Sequence, residues 1–366
     1  MRRFLFFLTF ALLTSLACSQ SYTQRATETS VPATPISTFE PATQPPEVTP
    51  TALTDWLSQL EVITTGNWSR LQLLKTFPAE MPLNHSAVAI SLDGKTMAVG
   101  SSSGAKIIFF DLTIGQLSQT VPVNGVANVD AYFNTIEYLP DGTIIANSDS
   151  PYEIYHIDKS GNVLSMWDGI SFALTSDKKT MAYDKEGISL VAVTNNTPLL
   201  TLDDSDAMYF AFSPDGSKIA AENIGVDYLY TAIWEISTKT LLTKLDASSN
   251  PRFSPDGKYL VITKYDYKNN KTPVKIFSPD GATEVTTLDV PGPNALSNLP
   301  SLWSSDGSIL IAQIANGPPV AWDTSNWQIL DAPALQGELY SFSPDARILI
   351  TRAPDGGILL WGVPSR

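Results

Sequence analysis

Phe253-Ser254-Pro255-Asp256-Gly257-Lys258-Tyr259-Leu260-Val261-Ile262-Thr263 carries a complete β-hairpin signal in eleven consecutive positions. Proline presets φ at the first turn position, aspartate caps the turn through its side chain, and glycine accepts positive φ. The aromatic and β-branched flanks favour extended backbone. The turn therefore joins two strands.

The signal recurs, whole or degraded, at Leu92-Asp93-Gly94, Pro140-Asp141-Gly142, Ser176-Asp177-Lys178, Ser213-Pro214-Asp215-Gly216, Ser305-Asp306-Gly307 and Ser343-Pro344-Asp345-Ala346. Successive turn aspartates stand 48, 36, 38, 41, 50 and 39 residues apart, a spacing that fits four-stranded propeller blades. After each turn come an apolar strand, a loop and a third strand. The third strand ends in an aromatic-acid pair such as Phe110-Asp111, Trp234-Glu235 or Trp322-Asp323. A further turn and a fourth strand complete the unit, as in Ser237-Thr238-Lys239-Thr240 before Leu241-Leu242. The predicted fold is all-β: a seven-bladed β-propeller of four-stranded antiparallel blades over residues 53–366.

With these turns and the Trp322-Asp323 pair, the chain resembles WD-repeat and WD-like β-propellers from about residue 60 onward. It departs from them in lacking the Gly-His dipeptide that opens a repeat. It also has Leu190-Val191 in blade three and Trp361-Gly362 in the last blade where the pair would stand. Trp167-Asp168 falls in a fourth strand and is not a counterpart of the pair.

An open ring would expose a sheet edge. The chain stops soon after Trp361, leaving blade seven one strand short, while Arg70 to Phe77 is strand-like and precedes the first repeat. That segment is predicted to be an N-terminal latch strand, burying Leu71, Leu73 or Leu74 and pairing with Gly357 to Trp361. Ile63 to Leu74 also resembles the lead-in found before many bacterial WD-like propellers. A short helix is expected over Leu53 to Val62.

Ahead of this body, Arg2-Arg3 and the apolar run Phe4 to Leu13 form a secretory signal too short to span a bilayer. Thr14-Ser15-Leu16-Ala17-Cys18 resembles a bacterial lipobox, with Ser15 where the family most often has Leu. The resemblance implies a signal peptide over residues 1–17, cleavage before Cys18, and lipid on that cysteine, the only one in the chain. An ordinary cleaved signal beside an incidental cysteine is the other reading. Residues 18–52, rich in Ser, Thr and Pro, cannot bury enough apolar surface to offset their ordering entropy and read as a disordered tether.

Net charge is -14 over 366 residues, which disfavours nucleic acid and anionic membrane surfaces as partners. A lone cysteine excludes a disulfide framework and a thiolate metal cage. Gly100-Ser101-Ser102-Ser103-Gly104 spells the hydrolase G-x-S-x-G pattern but is followed by a strand rather than a helix, so it reads as a hairpin. His85 and His156 read as structural or exposed. Asp203-Asp204-Ser205-Asp206 reads as a solvated acidic turn rather than a cation site. Trp303, Phe212, Phe253 and Phe342 share one phase before their turns and read as inner-strand core.

Insertions concentrate at Val123 to Asn134, Glu222 to Tyr230, Tyr265 to Thr272 and Val290 to Leu299, all on the face opposite the aspartate turns. The binding face of a repeat protein tends to carry such insertions. Candidate binding residues there are Asp130, Tyr132, Asp227, Tyr228, Tyr230, Tyr265, Asp266 and Tyr267; rigid aromatics with a polar tip are common interface anchors. No catalytic residue, metal site or cofactor is assigned. The resemblance implies an exported, lipid-anchored, monomeric binding or scaffolding propeller at the cell surface or in the periplasm, its partner a protein or other ligand of the envelope. A lactonase- or hydrolase-like propeller enzyme using carboxylates or a metal at the central channel is the alternative.

Overall fold

The computed structural model describes residues 56–77, 87–101, 104–126, 131–148, 150–204, 207–224, 229–246, 251–263, 272–289, 301–313, 318–331 and 335–366. Residues 52–366 form one compact unit. Two short strands, β1 (Leu60–Glu61) and β2 (Gln72–Phe77), precede the repeats. Blade one is β3 (Val88–Ile90), β4 (Thr96–Gly100), β5 (Lys106–Asp111) and β6 (Gln116–Pro122). Blade two is β7 (Phe133–Tyr138), β8 (Ile144–Ser148), β9 (Glu153–Ile157) and β10 (Val163–Asp168). Blade three is β11 (Phe172–Leu174), β12 (Thr180–Asp184), β13 (Ile188–Ala192) and β14 (Thr197–Leu202). Blade four is β15 (Ala207–Phe212), β16 (Lys218–Ile224), β17 (Leu229–Glu235) and β18 (Thr240–Leu245). Blade five is β19 (Arg252–Phe253), β20 (Leu260–Thr263), β21 (Val274–Phe277) and β22 (Glu284–Leu288). Blade six is β23 (Ser301–Trp303), β24 (Ile309–Ala312), β25 (Val320–Asp323) and β26 (Gln328–Ile329). Blade seven has β27 (Glu338–Phe342), β28 (Leu349–Arg352) and β29 (Ile358–Pro364).

The fourth strand of blade seven is β2, paired antiparallel with β29 from Gln72↔Gly362 to Phe77↔Ile358. This is the latch predicted from the sequence. Leu71 and Phe77 are buried, Leu74 is half-buried, and Leu73 faces solvent. Pairing continues into β1, where Leu60 and Glu61 oppose Pro364 and Val363. The Arg70 guanidinium clamps both segments, donating to both Glu61 carboxylate oxygens at 2.9 and 3.0 Å and to the Pro364 carbonyl at 2.8 Å.

The expected helix over Leu53 to Val62 is corrected. A single 3-10 turn, Trp56–Gln59, gives way at once to β1 because Leu60 and Glu61 find strand partners on β29. Residues 53–55 lie outside the described residues.

Among the described residues seven apolar clusters hold the ring, one at each blade junction. Phe133, Ile136 and Tyr155 meet Ile107 and Phe109 between blades two and one, for instance. Closure depends on the junction where Phe77, Ile350 and Leu360 of blade seven meet Met97, Phe110 and Leu112 of blade one. The lead-in residues Ile63, Trp68 and Leu71 fill the junction of blades six and seven. Burial of such side chains gives about 1.5–3 kcal/mol each.

Third and fourth strands share a device invisible to composition. Six of these pairs slip register at one position, opposite Phe110, Trp234, Phe277, Trp361 and their counterparts Val191 and Ile157. A bulge adds one residue, bends its strand and increases local twist. Leu164, Leu199, Leu242 and Val285 are such added residues and lie solvent-exposed on the rim, whereas in the latch the added Leu74 is half-buried.

Candidate binding face

Consecutive antiparallel strands put the first-to-second and third-to-fourth turns at one end of every blade, and all other connections at the opposite end. At the turn end, one hydrogen-bond pattern repeats. In blade four Ser213 Oγ donates to Asp215 Oδ1 at 2.6 Å, the Ser217 amide donates to the same oxygen at 3.0 Å, and the Lys218 amide donates to Ser213 Oγ at 2.9 Å. The hydroxyl stands two residues before the aspartate. Degraded copies keep it there, as Thr175 before Asp177 and Ser304 before Asp306. Blade two has Leu139 at that place, and Thr143 caps Asp141 instead.

Turns of adjacent blades touch. Ser176 Oγ donates to the Pro214 carbonyl at 3.1 Å, and a Cβ on Gly94 would lie 3.7 Å from Asp345 Oδ2. This face is therefore short and satisfied by its own side chains. Ser278-Pro279-Asp280-Gly281 folds in the same way, with Ser278 Oγ donating to Asp280 Oδ1 at 2.5 Å, but joins β21 to β22. Sequence reading left this copy out.

The opposite face varies. Its connections run from residues 169–171 and 185–187 around blade three to residues 123–132, 264–273 and 289–300 elsewhere. Glu222 to Tyr230, expected as an insertion loop, is largely strand. β16 and β17 pair without a break from Lys218↔Glu235 to Ile224↔Leu229, so this hairpin is taller than its neighbours.

Of the eight candidate residues, Tyr132 and Tyr230 fall among the described residues. Asp130, Asp227, Tyr228, Tyr265, Asp266 and Tyr267 lie outside them. Tyr132 is half-buried just before β7, and Tyr230 is half-buried near the loop-face end of β17. Lys244 of β18 lies over the Tyr230 ring, 4.3 Å from its centroid, and donates to its hydroxyl at 3.2 Å. An ammonium held over an aromatic face is an attractive arrangement, and it fixes the phenol tip at the blade edge.

Beneath the loops, buried polar groups lock the strand ends. Asn147 Nδ2 donates to the Ile170 carbonyl at 2.7 Å, and Asp184 accepts from the Ile170 and Ser171 amides. Asp204 corrects the expected solvated acidic turn. It is buried and accepts from Asn223 Nδ2 at 3.3 Å and Trp234 Nε1 at 3.1 Å, since a buried carboxylate requires donors. Asp203 is exposed.

Gly100 and Ser101 lie at a β4–β5 hairpin, as the sequence reading has it. His156 is buried in β9 with Nε2 2.7 Å from Thr143 Oγ1. Burial pushes its pKa below the ordinary imidazole value, against the opposing charge of Asp141. The imidazole, joined to the Thr143–Asp141 turn, steadies blade two. His85 lies outside the described residues. Among the described residues no group of three or more His, Cys, Asp or Glu is placed to hold a metal ion, and no helix is long and apolar enough to cross a membrane.

No protein-family model matches the chain, and no curated protein does. Among solved structures it is similar to Kuenenia stuttgartiensis hydrazine synthase, with 16% identity and a TM-score of 0.63 over 77% of this chain and 96% of that one. At that identity the likeness establishes the fold alone. Since 1543 chains of solved structures match, the fold is too widely shared to select a function.

Proposed function

We propose that this chain is a non-catalytic binding or scaffolding propeller, exported, held at a membrane by lipid on Cys18, and presenting its loop face to a protein or other ligand of the cell envelope. The observation that carries the proposal is the asymmetry of the two faces. The turn face is closed by short turns whose polar groups are satisfied within the turn, whereas the loop face varies in connection length and carries Tyr132 and the Lys244-braced Tyr230. Repeat proteins bind through the face where insertions collect. The WD-like turn pattern and the lipobox-like Ala17-Cys18 support the same reading.

Photo-crosslinking side chains placed at Tyr132 and Tyr230, and as controls at Thr113 and Ser237 on the turn face, test it in cells. Adducts are expected from the loop face and not from the controls. Cys18→Ala should move the protein out of the membrane fraction; a variant that still pellets with membranes, beside a native form without lipid mass, refutes the anchor. A stoichiometric transition metal whose removal abolishes an activity of the purified protein would replace this reading with that of a propeller enzyme.

A further inference from the structure

The first strands of the blades line the axis of the ring, and neighbours such as β11 and β15, or β15 and β19, touch. Arg252 lies on β19 beside Phe253, which packs toward blade four. Strand alternation therefore sends Arg252 off the other side of β19. The residue is half-buried, and its one hydrogen bond runs from Nη1 to the neighbouring Pro251 carbonyl at 3.3 Å. Among the described residues no carboxylate forms an ion pair with it. The charge of Glu137 on β7, three blades round the ring, does reach it. Glu137 and Arg252 hold the same position on their first strands, each four residues ahead of its turn aspartate, and these strands line the axis, so the Arg252 side chain is placed toward the central channel. Glu137 is itself engaged by Lys178, so it is not free to serve as the counter-ion.

A desolvated cation without a bonded anion is costly, and buried charges are ordinarily paired. Burial depresses the Arg252 guanidinium from its ordinary value. The positions equivalent to Arg252, two residues ahead of their turns, are mostly small: Ala89, Ala173, Ala211 and Ser341, with Leu302 and Glu137 the exceptions. Side chains of that size are too short to reach the guanidinium across the axis.

We propose that Arg252 anchors a ligand site in the central channel for a singly charged carboxylate. The planar guanidinium fork matches a carboxylate with two parallel hydrogen bonds. Glu137 and the aspartates of the turn face lie toward the same mouth, so each further negative charge on a ligand is penalised. A carboxylate is therefore favoured over a phosphate dianion. The site is independent of whatever the loop face binds.

The test uses the mature full chain labelled with 15N-arginine, whose Nε–H resonances are few. Sodium acetate, sodium phosphate and sodium chloride are titrated at constant ionic strength. The resonance missing from Arg252→Gln is expected to shift saturably with acetate, at lower concentration than with phosphate, and not with chloride. Should Arg252→Gln fail to fold, Arg252→Lys identifies the resonance instead; it keeps the charge without the fork. Absence of a saturable acetate shift overturns the proposal, as does tighter binding of phosphate.

Discussion

The Trp361 indole donates from Nε1 to the Thr351 hydroxyl at 2.8 Å, and Thr351 donates in turn to the Gln336 carbonyl at 2.6 Å. Three chain segments of the closing blade are thus tied through one fully buried hydroxyl. Trp361 also opposes the latch residue Leu73, so the tie supports ring closure.

Thr351→Val keeps the shape of the side chain and removes the hydroxyl, leaving the Trp361 N–H and the Gln336 carbonyl without this partner. The expected loss is about 1–3 kcal/mol of stability, read by urea denaturation. Thr351→Ser should retain most of it. If Thr351→Val unfolds at the same urea concentration as the native protein, the tie contributes nothing.

Removing the latch should be far more damaging. A chain beginning at residue 79 loses buried Leu60, Ile63, Trp68, Leu71 and Phe77, each worth about 1.5–3 kcal/mol, against about 5–15 kcal/mol for a typical domain. It should aggregate or melt well below a chain beginning at residue 51, whose melting temperature should equal that of the mature protein. Equal melting temperatures for the chains starting at 79 and 51 would refute the latch.

Acid should weaken the turns in a defined window. The Ser213 hydroxyl, the Ser217 amide and other donors hold the Asp215 carboxyl at about 2. A depressed carboxyl stabilises the fold above its unfolded pKa of about 4 and loses that contribution as pH falls through its folded value. Asp215→Asn should therefore cost stability at pH 7, and the difference from the native protein should shrink between about pH 4 and pH 2. Because Asp215 is largely exposed, screening limits the effect to about 1 kcal/mol or less. A difference that stays constant down to pH 2 would rule out the carboxylate as its source.

The sequence by itself determined the turns, the blade count and the latch. In each aspartate turn the hydrogen-bond partners of the aspartate itself lie two residues away, so local chemistry is enough to read it. Even the degraded copies keep Thr175 or Ser304 in place. The same locality makes a turn blind to which strands it joins. Ser278-Pro279-Asp280-Gly281 is indistinguishable in sequence from the others yet closes the outer hairpin of blade five.

Only the tertiary structure decided the rest. Asp204 becomes a buried acceptor because Asn223 and Trp234, 19 and 30 residues away, are folded over it. Glu222 to Tyr230 becomes strand because the two sides of the hairpin pair with each other. Arg252 and Glu137 come to face one axis only because seven sheets close into a ring and turn their first strands inward. Backbone preference acts over a few residues, whereas the first strands that carry Arg252 and Glu137 are turned toward one axis by closure of the whole ring.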